Sequence, residues 1–321
     1  MRRQRKVAAF TNPNAGKNTP RAGLGRVVAS ILTTPSWTYD TRTIEELEEK
    51  CEGLRRTRPD TIVVVGGDGT VHNTLTRIIR EYQASGLPFP QVLVVPTGTM
   101  NTVATTLGLT RHPAVRLAEL IAAKIRENRP FDHVHLAPMK INDEYGFLYG
   151  SGIVVNFLEQ YYLDKNRGPK RAVKVILGSL WHEISHLLTF RKPRNPLMKQ
   201  VHAKITLPDG MDPPVAPYMT HTGIMCGSID QIGMGCKGLP DARNKPGTFM
   251  LRDTALSFWG LAANLGMLWA GYSIPKTYDA NVSRLVIDYE QPTITQVDGD
   301  IKAATLRDVI ELGPTLSFIT G

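Results

Sequence analysis

Residues in the first 130 positions of the chain alternate between short strand-like runs and stretches of helical spacing. The strand-like runs predict β-strands near residues 6–11, 37–41, 61–65 and 91–95. Apolar residues at helical spacing predict helices over residues 44–56, 71–83, 101–108 and 113–127. Alternating strands and helices are typical of a parallel sheet covered by helices. The first part of the chain is therefore predicted to be an α/β domain.

The pattern changes at about residue 131. From there on, apolar and polar residues alternate in short segments, and Pro and Gly residues interrupt these segments. The alternating segments are "HVHLAPMKI", "YGFLYGSGIVVNF", "VHAKITL" and "RLVIDYE". Alternation with period two is typical of antiparallel strands that have one buried face. The predicted fold class is thus α/β, with an N-terminal parallel-sheet domain over residues 1–130 and a C-terminal antiparallel β-rich domain from residue 131.

Two longer apolar segments stand out in the second half. "VKVILGSLWHEISHLLTFRKPR" has helical spacing and a basic end, which predicts a helix that forms a groove wall or contacts a membrane surface. Residues 254–275 carry no charge and are long enough to consider as a transmembrane span. Asn264, three glycines and two serines argue against a span. We predict a buried or interfacial helix, of which a core helix is the commoner kind.

Charge narrows the range of partners. The 321 residues include 38 Lys and Arg against 29 Asp and Glu, a net charge of +9. A basic protein favours an anionic partner, and a nucleotide, an acidic lipid surface and nucleic acid all qualify. The sequence lacks a basic stripe interleaved with aromatics, so no nucleic acid partner is predicted. Three widely spaced cysteines and an N-terminal apolar run that stops at Phe10 indicate a reducing compartment, the cytoplasm, without a signal peptide.

Three predicted strands end in polar, turn-forming clusters. These are "FTNPNAGK", "GGDGT" and "VVPTGTMNTVA". Each cluster alone is explained equally well as a helix cap or turn. Consecutive parallel strands, however, place their carboxyl ends at one edge of a sheet, where ligands of α/β proteins bind. In "GGDGT", glycines able to adopt φ > 0 predict a sharp turn whose N–H groups face a phosphate.

The order and spacing of "NPNAGK", "GGDGT", "PTGTMNTVA" and the distant "VDGD" at 297–300 resemble the diacylglycerol kinase catalytic family, which includes bacterial lipid kinases, sphingosine kinases and ceramide kinases. The resemblance is specific over residues 6–109 and extends to "LYGSGIVVNF" and "KNRGPKR". It implies an ATP-binding α/β domain, a β-rich lipid-substrate domain over residues 131–294, and a C-terminal segment 295–321 that returns to the cleft between the domains.

The resemblance also implies site residues. Asp68 would lie beside the nucleotide and its metal, and Asp298 and Asp300 beside the acceptor hydroxyl, with one of these carboxylates acting as the base. Asp300 replaces the Glu usual in the family. The residues expected to bind ATP are Asn12, Pro13, Asn14, Ala15, Gly16, Lys17, Thr41, Gly66, Gly67, Asp68, Gly69, Thr70, Thr99 and Asn101. "QVDGDIK" read alone is equally a hairpin turn, because Asp-Gly is a strong turn signal.

Several positions depart from the family pattern. Asn73 replaces a Glu, and Thr102 stands where many bacterial members have Asp. In "KPGTFML", Pro246 and Met250 replace both carboxylates of an element linked in some members to structural magnesium. No structural metal site is therefore carried over, and metal ligands are left open. Mg²⁺ is expected to arrive with ATP, held by phosphates and one or two carboxylates.

A competing motif is "WHEISH", which matches H-E-x-x-H at His182, Glu183 and His186. On a helix this pattern directs two imidazoles at one zinc ion. A third ligand would have to come from His202, His221 or a distant carboxylate, at no recognised spacing. Short motifs match often by chance, so helix-surface histidines are the favoured interpretation over a zinc protease.

The sequence as a whole predicts an ATP- and Mg²⁺-dependent lipid kinase. Its substrate would be a hydroxyl of a membrane lipid of the diacylglycerol, ceramide or sphingoid type, reached by a peripheral protein at an anionic membrane surface. The alternatives are an NAD kinase-like or other small-molecule kinase, which shares the glycine-Asp-glycine signature, and a non-catalytic lipid- or nucleotide-binding homologue. The pattern leaves open the lipid, the choice of base and the oligomeric state.

Overall fold

The structure is a computed structural model that describes residues 5–13, 23–33, 37–127, 129–164, 169–189, 195–208, 210–211, 215–233 and 235–320. The side chains at 169 and 186–189 are not described. Four of the predicted nucleotide-binding residues, Asn14, Ala15, Gly16 and Lys17, lie outside the described residues. So do part of "KNRGPKR" and the whole of the basic end "FRKPR".

The strands are, in chain order, β1 (Val7–Thr11), β2 (Thr38–Asp40), β3 (Thr61–Gly66), β4 (Gln91–Pro96), β5 (His133–Leu136), β6 (Met139–Ile141), β7 (Glu144–Gly146), β8 (Leu148–Gly152), β9 (Val201–Thr206), β10 (Thr220–His221), β11 (Gly223–Gly227), β12 (Phe249–Thr254), β13 (Thr277–Val282), β14 (Arg284–Thr293), β15 (Thr295–Val297), β16 (Asp300–Ile301), β17 (Thr305–Leu312) and β18 (Leu316–Ile319).

The helices are α1 (Leu24–Leu32), α2 (Ile44–Glu52), α3 (Leu54–Thr57), α4 (Asp68–Ser85), α5 (Thr102–Thr106), α6 (Ala114–Arg126), α7 (Ile153–Tyr162), α8 (Pro169–Thr189), α9 (Phe258–Ala263) and α10 (Leu265–Ala270). Short 3₁₀ turns occupy Leu109–Arg111 and Pro196–Met198.

The strands and helices predicted for the first 130 residues are present, with two differences. The predicted helix 44–56 is divided at Gly53 into α2 and α3. Helix α1 was not predicted. In the second half, "IVVNF" was predicted as strand but begins α7. Gly152 has a φ of 68°, and a Cβ there would lie 2.5 Å from the carbonyl oxygen of Thr222, so the strand can end here only at a glycine.

Contacts along the chain divide it into two compact units. The first contains Met1–Pro138, Glu144–Gly146 and Gly313–Gly321, and the second contains Met139–Asp143 and Phe147–Leu312. The predicted first domain, residues 1–130, thus differs from the first unit by the later segments that join it. Of the predicted C-terminal segment 295–321, residues up to Leu312 belong to the second unit. The predicted domain boundaries themselves stay predictions.

The first unit is built on one sheet with the strand order β2-β1-β3-β4-β18-β5. Strands β2, β1, β3, β4 and β18 run parallel to one another, and β5 runs antiparallel to β18. Every residue of β1 and β3 is buried, as expected of a sheet covered on both faces. The C-terminal strand β18 completes this sheet, which local sequence pattern did not predict.

The second unit contains two antiparallel sheets. Its strands have the orders β10-β9-β14-β17-β6 and β13-β12-β11-β8-β15-β16. A hydrophobic cluster that includes Ile205, Ile287, Phe249 and Leu251 packs side chains from both sheets together. The predicted fold class, α/β with an N-terminal parallel-sheet domain and a C-terminal antiparallel β-rich domain, is confirmed.

The uncharged segment 254–275 is not the core helix that the sequence favoured. It forms α9 and α10, two six-residue helices separated at Asn264. All residues of both helices are described, and none of them is buried. Within the described ranges, every helix is too short or too polar to cross a bilayer.

Candidate functional site

The predicted nucleotide-binding residues of the first unit collect at one edge of its sheet. Because β2, β1, β3 and β4 are parallel, their carboxyl ends face the same way, and Thr11 pairs with Asp40 as Gly66 pairs with Pro96. Asn12 and Pro13 follow β1, Thr41 follows β2, Gly67 follows β3, and Thr99 and Asn101 follow β4. The structure therefore brings the described members of this set to the edge at which α/β proteins bind ligands.

The glycines of "GGDGT" serve close packing rather than an unusual backbone. Gly66, Gly67 and Gly69 all lie in the described part of the chain, and none has a positive φ, so the turn does not use the tolerance of glycine for φ > 0. A Cβ on Gly98 would lie 2.4 Å from the Cα of Gly67. A Cβ on Gly66 would lie 2.4 Å from the side chain of Thr70. Glycine is thus required at positions 67 and 98 because the loops after β3 and β4 touch backbone to backbone, and at position 66 because Thr70 fills the space.

Asn101 braces the loop after β4. Its Oδ1 accepts a hydrogen bond from the Gly98 amide at 2.9 Å, and its Nδ2 donates to the Gly98 carbonyl at 2.9 Å. Its φ of 50° is left-handed, a conformation that Asn tolerates better than most residues. Thr99 is exposed at the tip of the same loop. The amide predicted to contact the nucleotide is therefore used to shape the loop that faces Asp68.

Asp68 occupies the first turn of α4, next to the start of α5. Its carboxylate accepts hydrogen bonds from the Val103 amide at 3.3 Å and the Thr102 hydroxyl at 3.4 Å. Burial raises the pKa of Asp68 to about 6, although the hydrogen bonds from Val103, Thr102 and Asn101 oppose the rise. A carboxyl group whose pKa is raised by burial at a ligand-binding edge is typical of a functional residue.

The start of α4 has the character of an anion site. Gly67 is its N-cap and supplies no side-chain hydrogen bond. The amide of Val71 bonds to the Gly67 carbonyl, the first bond of the helical ladder. The amides of Asp68, Gly69 and Thr70 precede that ladder, and such first-turn N–H groups together with the helix dipole favour phosphate.

An interaction at the same edge was not predicted. Asp40, the last residue of β2, accepts a hydrogen bond from the Thr11 hydroxyl and pairs with Arg26 of α1. Thr41 is buried, and its hydroxyl donates to the Thr11 carbonyl at 3.3 Å. These contacts hold the ends of β1 and β2 together. The sequence feature that could have indicated this interaction is the position of Asp40, an acidic residue at the end of a strand in a βα unit.

Asn73, which replaces the family Glu, faces its own helix. Its Nδ2 donates to the Gly69 carbonyl at 2.9 Å, and its Oδ1 accepts from Arg77 at 3.3 Å. Arg77 also pairs with Glu48 at 3.3 Å. The side chain at this position therefore stabilises the first turns of α4 and adds no negative charge near Asp68.

The "VDGD" segment of the second unit forms a tight hairpin between β15 and β16. Asp298 and Gly299 have φ values of 49° and 87°, the left-handed pair that a two-residue type I′ turn requires. The Tyr162 hydroxyl of α7 donates to the Gly299 carbonyl at 2.8 Å, and the Gln296 side chain accepts from the Gly299 amide at 2.7 Å. The hairpin interpretation and a catalytic role are thus compatible.

The two carboxylates of this hairpin have different surroundings. Asp298 is buried, and its carboxylate accepts hydrogen bonds from the amides of Phe147 and Leu148, at 3.0 and 2.8 Å. Its own amide donates to the Leu148 carbonyl at 2.9 Å. Asp300 is half-buried and pairs with Val297 across the hairpin. Asp298 therefore fixes the turn to β8, whereas Asp300 stands at the start of β16.

The zinc-protease motif is not supported by the contacts of Glu183. Its carboxylate is buried and accepts a hydrogen bond from Asn195 Nδ2 at 2.9 Å. The side chain of His186 lies outside the described residues. His221 is fully buried in contact with Asp253, at 2.6 Å. Across the part of the chain that the structure describes, His, Cys, Asp and Glu side chains form no group of three or more that could hold a metal ion.

A substitution at Gly98 tests the packing of the two loops. We expect Gly98→Ala to weaken the ATP binding predicted from the sequence by about tenfold or more, because the added methyl group would force the loop away from the Gly67 backbone. Gly178→Ala in α8, where a Cβ meets nothing within 4 Å, is the matched control. Calorimetric titration with ATP measures both. Equal affinities for the two variants would contradict the proposed role of the loop.

The raised pKa of Asp68 predicts a pH dependence of stability. A carboxyl group with a pKa of 3.8 unfolded and about 6 folded binds more protons in the folded state between those values. Folding stability should therefore fall as the pH rises from about 4 to about 6. We expect Asp68→Asn to be more stable than the wild type at pH 7 and to lose that advantage below pH 4. Urea unfolding of both proteins in the absence of nucleotide measures this, and a constant difference across the range would contradict it.

Comparison with known proteins finds a family match in the first part of the chain. Residues 6–133 match the family model of the diacylglycerol kinase catalytic domain. A curated protein of Staphylococcus carnosus (strain TM300), named "Putative lipid kinase", is 27% identical over 196 residues, which cover 58% of this chain and 56% of that protein. The alignment thus spans little more than half of the curated relative.

Solved structures extend the likeness in fold to nearly the whole chain. A "putative diacylglycerol kinase" from Bacillus anthracis str. Sterne is similar with a TM-score of 0.68 and 19% identity, covering 99% of this chain and 97% of that one. A second structure from the same organism, described as one of its diacylglycerol kinases, gives a TM-score of 0.64 at 18% identity, with the same coverage. At such identities the likeness concerns the fold. The resemblance that the sequence motifs predicted is confirmed, and residues 6–133 match the diacylglycerol kinase catalytic domain.

Proposed function

We propose that this chain is an ATP-dependent lipid kinase that transfers the γ-phosphoryl group to a hydroxyl of a membrane lipid. The observation that carries the proposal is Asp68, a carboxylate with a raised pKa in the first turn of α4, at the ligand edge of the segment that matches the family. Phosphoryl transfer requires the phosphates to be held, their charge offset and the acceptor hydroxyl aligned and deprotonated.

We assign the nucleotide to the first unit. The first-turn amides of α4 would bind phosphate oxygens, and the close contact of Gly67 with Gly98 keeps side chains out of their way. Asn101 and Thr99 shape the neighbouring loop, with Thr41 and Asn12 at the ends of β2 and β1. Asn14, Ala15, Gly16 and Lys17 stay predictions for the same role.

The donors of this edge fit Mg²⁺ brought in by ATP. Mg²⁺ prefers one or two carboxylates together with phosphate oxygens and water, and Asp68 supplies a carboxylate beside the first turn of α4. When bound, the ion would offset the charge of the phosphates. Asp68 would hold it through its carboxylate oxygens, while the amide of Val103 keeps that carboxylate oriented.

We assign the acceptor hydroxyl to the "VDGD" hairpin of the second unit. Asp300 would accept the hydroxyl proton as the lipid oxygen bonds to the γ-phosphorus and the bond to the bridging oxygen of ADP breaks. Asp298 is proposed as a positioning residue, because its carboxylate already accepts two amides of the Phe147–Leu148 segment. Replacement of the family Glu by Asp300 shortens the reach by one methylene and keeps the carboxylate chemistry.

The second candidate is a non-catalytic nucleotide- or lipid-binding protein. It is favoured by Asn73, whose side chain is engaged with Gly69 and Arg77 and lacks the charge of the family Glu. Met250, at the position of a second lost carboxylate, is buried in β12. Turnover of ATP in the presence of lipid, rather than ATP affinity, separates the two candidates.

Labelled ATP tests the proposal directly. The chain is incubated with [γ-³²P]ATP, Mg²⁺ and mixed micelles that contain diacylglycerol, ceramide, a sphingoid base or phosphatidylglycerol, with NAD as a soluble acceptor. We expect ³²P to be transferred to one of these lipids, and we expect no labelled lipid when Mg²⁺ is omitted. Label in NAD alone would favour the small-molecule kinase. ATP binding without label in any acceptor would favour the binding protein.

A kinase that acts on a membrane lipid has to reach the membrane surface. A chain with a net charge of +9 is attracted to anionic lipid, and salt screens this attraction over about 10 Å at 0.1 M. We therefore propose a peripheral protein at the cytoplasmic face of an anionic membrane.

A further inference from the structure

The second unit carries a pair of short helices, α9 and α10, whose apolar side chains are open to solvent. We call these two helices the apolar helix pair. Trp259, Leu265, Met267 and Trp269 are between 42% and 48% exposed, and Tyr272, just after α10, is 63% exposed. Large apolar side chains grouped in this way on a surface mark an interaction site rather than a fold requirement.

The apolar helix pair is well defined although it contributes no buried residue. The Ser257 hydroxyl caps α9 by accepting the Gly260 amide at 3.3 Å, and Asn264 Nδ2 donates to the Gly260 carbonyl at 2.8 Å. Gly271, with a φ of 88°, ends α10, and the Tyr272 amide bonds to the Met267 carbonyl at 2.9 Å. Helices of six residues are unstable alone, so this local order has to be supported from outside.

That support comes from a buried ionic network at the base of the pair. Arg252 of β12 is fully buried and donates to both carboxylate oxygens of Asp279 in β13, at 2.8 and 2.7 Å. It also donates to the Gly238 carbonyl at 2.8 Å, and Ser273 donates to Asp279 at 2.6 Å. The chain just after α10 and the segment at Gly238 are thereby tied to the sheet, and bidentate Arg–carboxylate pairs are geometrically specific.

The charges around the pair favour an anionic partner. Residues 254–275 contain no charged side chain. The Lys237 amide donates to the Trp269 carbonyl at 3.0 Å, which places this exposed lysine beside α10. Lys276 is exposed directly after the segment, and the loop before β12 exposes Arg243 and Lys245 together with one acid, Asp241. Tryptophan and tyrosine next to lysine and arginine are typical of segments that lie in a bilayer interface.

We propose that the apolar helix pair is a docking element that inserts Trp259, Leu265 and Trp269 into the interface of an anionic bilayer, with Lys237 and Lys276 at the headgroups. The inference rests on the proposed lipid-kinase function for its purpose, since it would bring the second unit to its substrate. Its structural basis is independent of the catalytic residues, because none of them lies on α9 or α10.

Vesicle binding by the full chain tests the proposal. Sucrose-loaded vesicles of phosphatidylcholine with 30% phosphatidylglycerol (roughly the anionic fraction that gives a clear surface potential) are sedimented with the wild type and with Trp259→Ser/Trp269→Ser. We expect the double variant to bind about tenfold or more weakly, because interfacial affinity scales with the apolar area inserted. Leu306→Ser, at an exposed leucine of β17, is the matched control and should bind as the wild type does.

A second measurement locates the contact without removing an aromatic ring. Trp181 of α8 is 71% exposed, beside Val173 and Leu177 on a helix that also carries basic residues. We expect brominated lipids to quench tryptophan fluorescence in the wild type and in Trp181→Phe, and to lose most of that quenching in Trp259→Phe/Trp269→Phe. The opposite result would assign docking to α8 and overturn the proposal.

The outcomes separate this inference from the proposed function. Vesicle binding that depends on the two tryptophans, in a chain that labels no lipid, would keep the docking element and reject the kinase. If the chain labels lipid and the double variant binds vesicles as the wild type does, the kinase is supported and the docking element is rejected. If the double variant binds vesicles normally but loses self-association in sedimentation equilibrium, the surface is an interface between copies of this chain, and the bilayer proposal is wrong.

Discussion

Replacing Asp68 with asparagine is expected to lower the kcat of lipid phosphorylation by about 10³-fold or more. Single charged groups that stabilise the transferring phosphoryl group have effects of this size. The substitution keeps a side-chain oxygen for the Val103 amide but removes the negative charge proposed to hold Mg²⁺. Asparagine cannot replace that charge, because Mg²⁺ strongly prefers carboxylate oxygens. Initial rates with labelled ATP and the preferred lipid at pH 7.5 measure the effect.

Asp60→Asn provides the matched control for Asp68. Asp60 precedes β3 at the opposite edge of the same sheet, where its carboxylate accepts the Lys6 amide at 2.9 Å. We expect this variant to keep the wild-type rate. Thermal unfolding shows whether each variant remains folded. A folded Asp68→Asn protein that phosphorylates lipid at the wild-type rate would remove the active-site assignment.

The second large effect is expected at the "VDGD" hairpin. Asp300→Asn should lower kcat by about 10²- to 10⁴-fold, the usual contribution of a general base, because a lipid hydroxyl is a poor nucleophile at neutral pH. ATP affinity, assigned to the first unit, should not change. Lipid phosphorylation and calorimetric ATP titration of the same preparation measure the two quantities.

Asp298→Asn should behave differently from Asp300→Asn. Its carboxylate accepts the amides of Phe147 and Leu148, so the amide substitution should also reduce thermal stability. Asp288→Asn, at a surface carboxylate that pairs with Arg307, is the control for a lost surface charge. If neither hairpin variant loses more than about tenfold in kcat, well below a general-base contribution, the catalytic assignment is wrong.

The edge of the parallel sheet could be predicted from local pattern. Runs such as Ile62–Val65 are apolar throughout because both faces of their strand are covered, and the polar cluster after each run marks where the strand ends. Parallel direction then follows from the intervening helices, which return the chain to the same side. That reasoning was sufficient to locate the "GGDGT" cluster at the edge of the sheet, whereas Asp68 and Asp298 were selected as catalytic candidates by the resemblance to the family. The Asp-Gly pair by itself indicated a hairpin turn as the alternative for Asp298.

Features that depend on contacts between distant segments could not be predicted in this way. Gly67 and Gly98 need to be glycines because two loops touch, and the sequence pattern around either one resembles an ordinary turn. Asp298 differs from Asp300 because the amides of Phe147 and Leu148 lie opposite only one of them. Both distinctions depend on strand register, which fixes the partners of each backbone group.

The sequence by itself determined the fold class, the resemblance to the diacylglycerol kinase catalytic domain and the candidate carboxylates, because period, turn chemistry and motif spacing are local properties of the chain. The tertiary structure was needed to place β18 in the first sheet and to show that α9 and α10 are exposed. An apolar stripe is the same string of residues whether it packs on a core or faces outward. What covers it depends on the elements that surround it, and those are set by the whole fold.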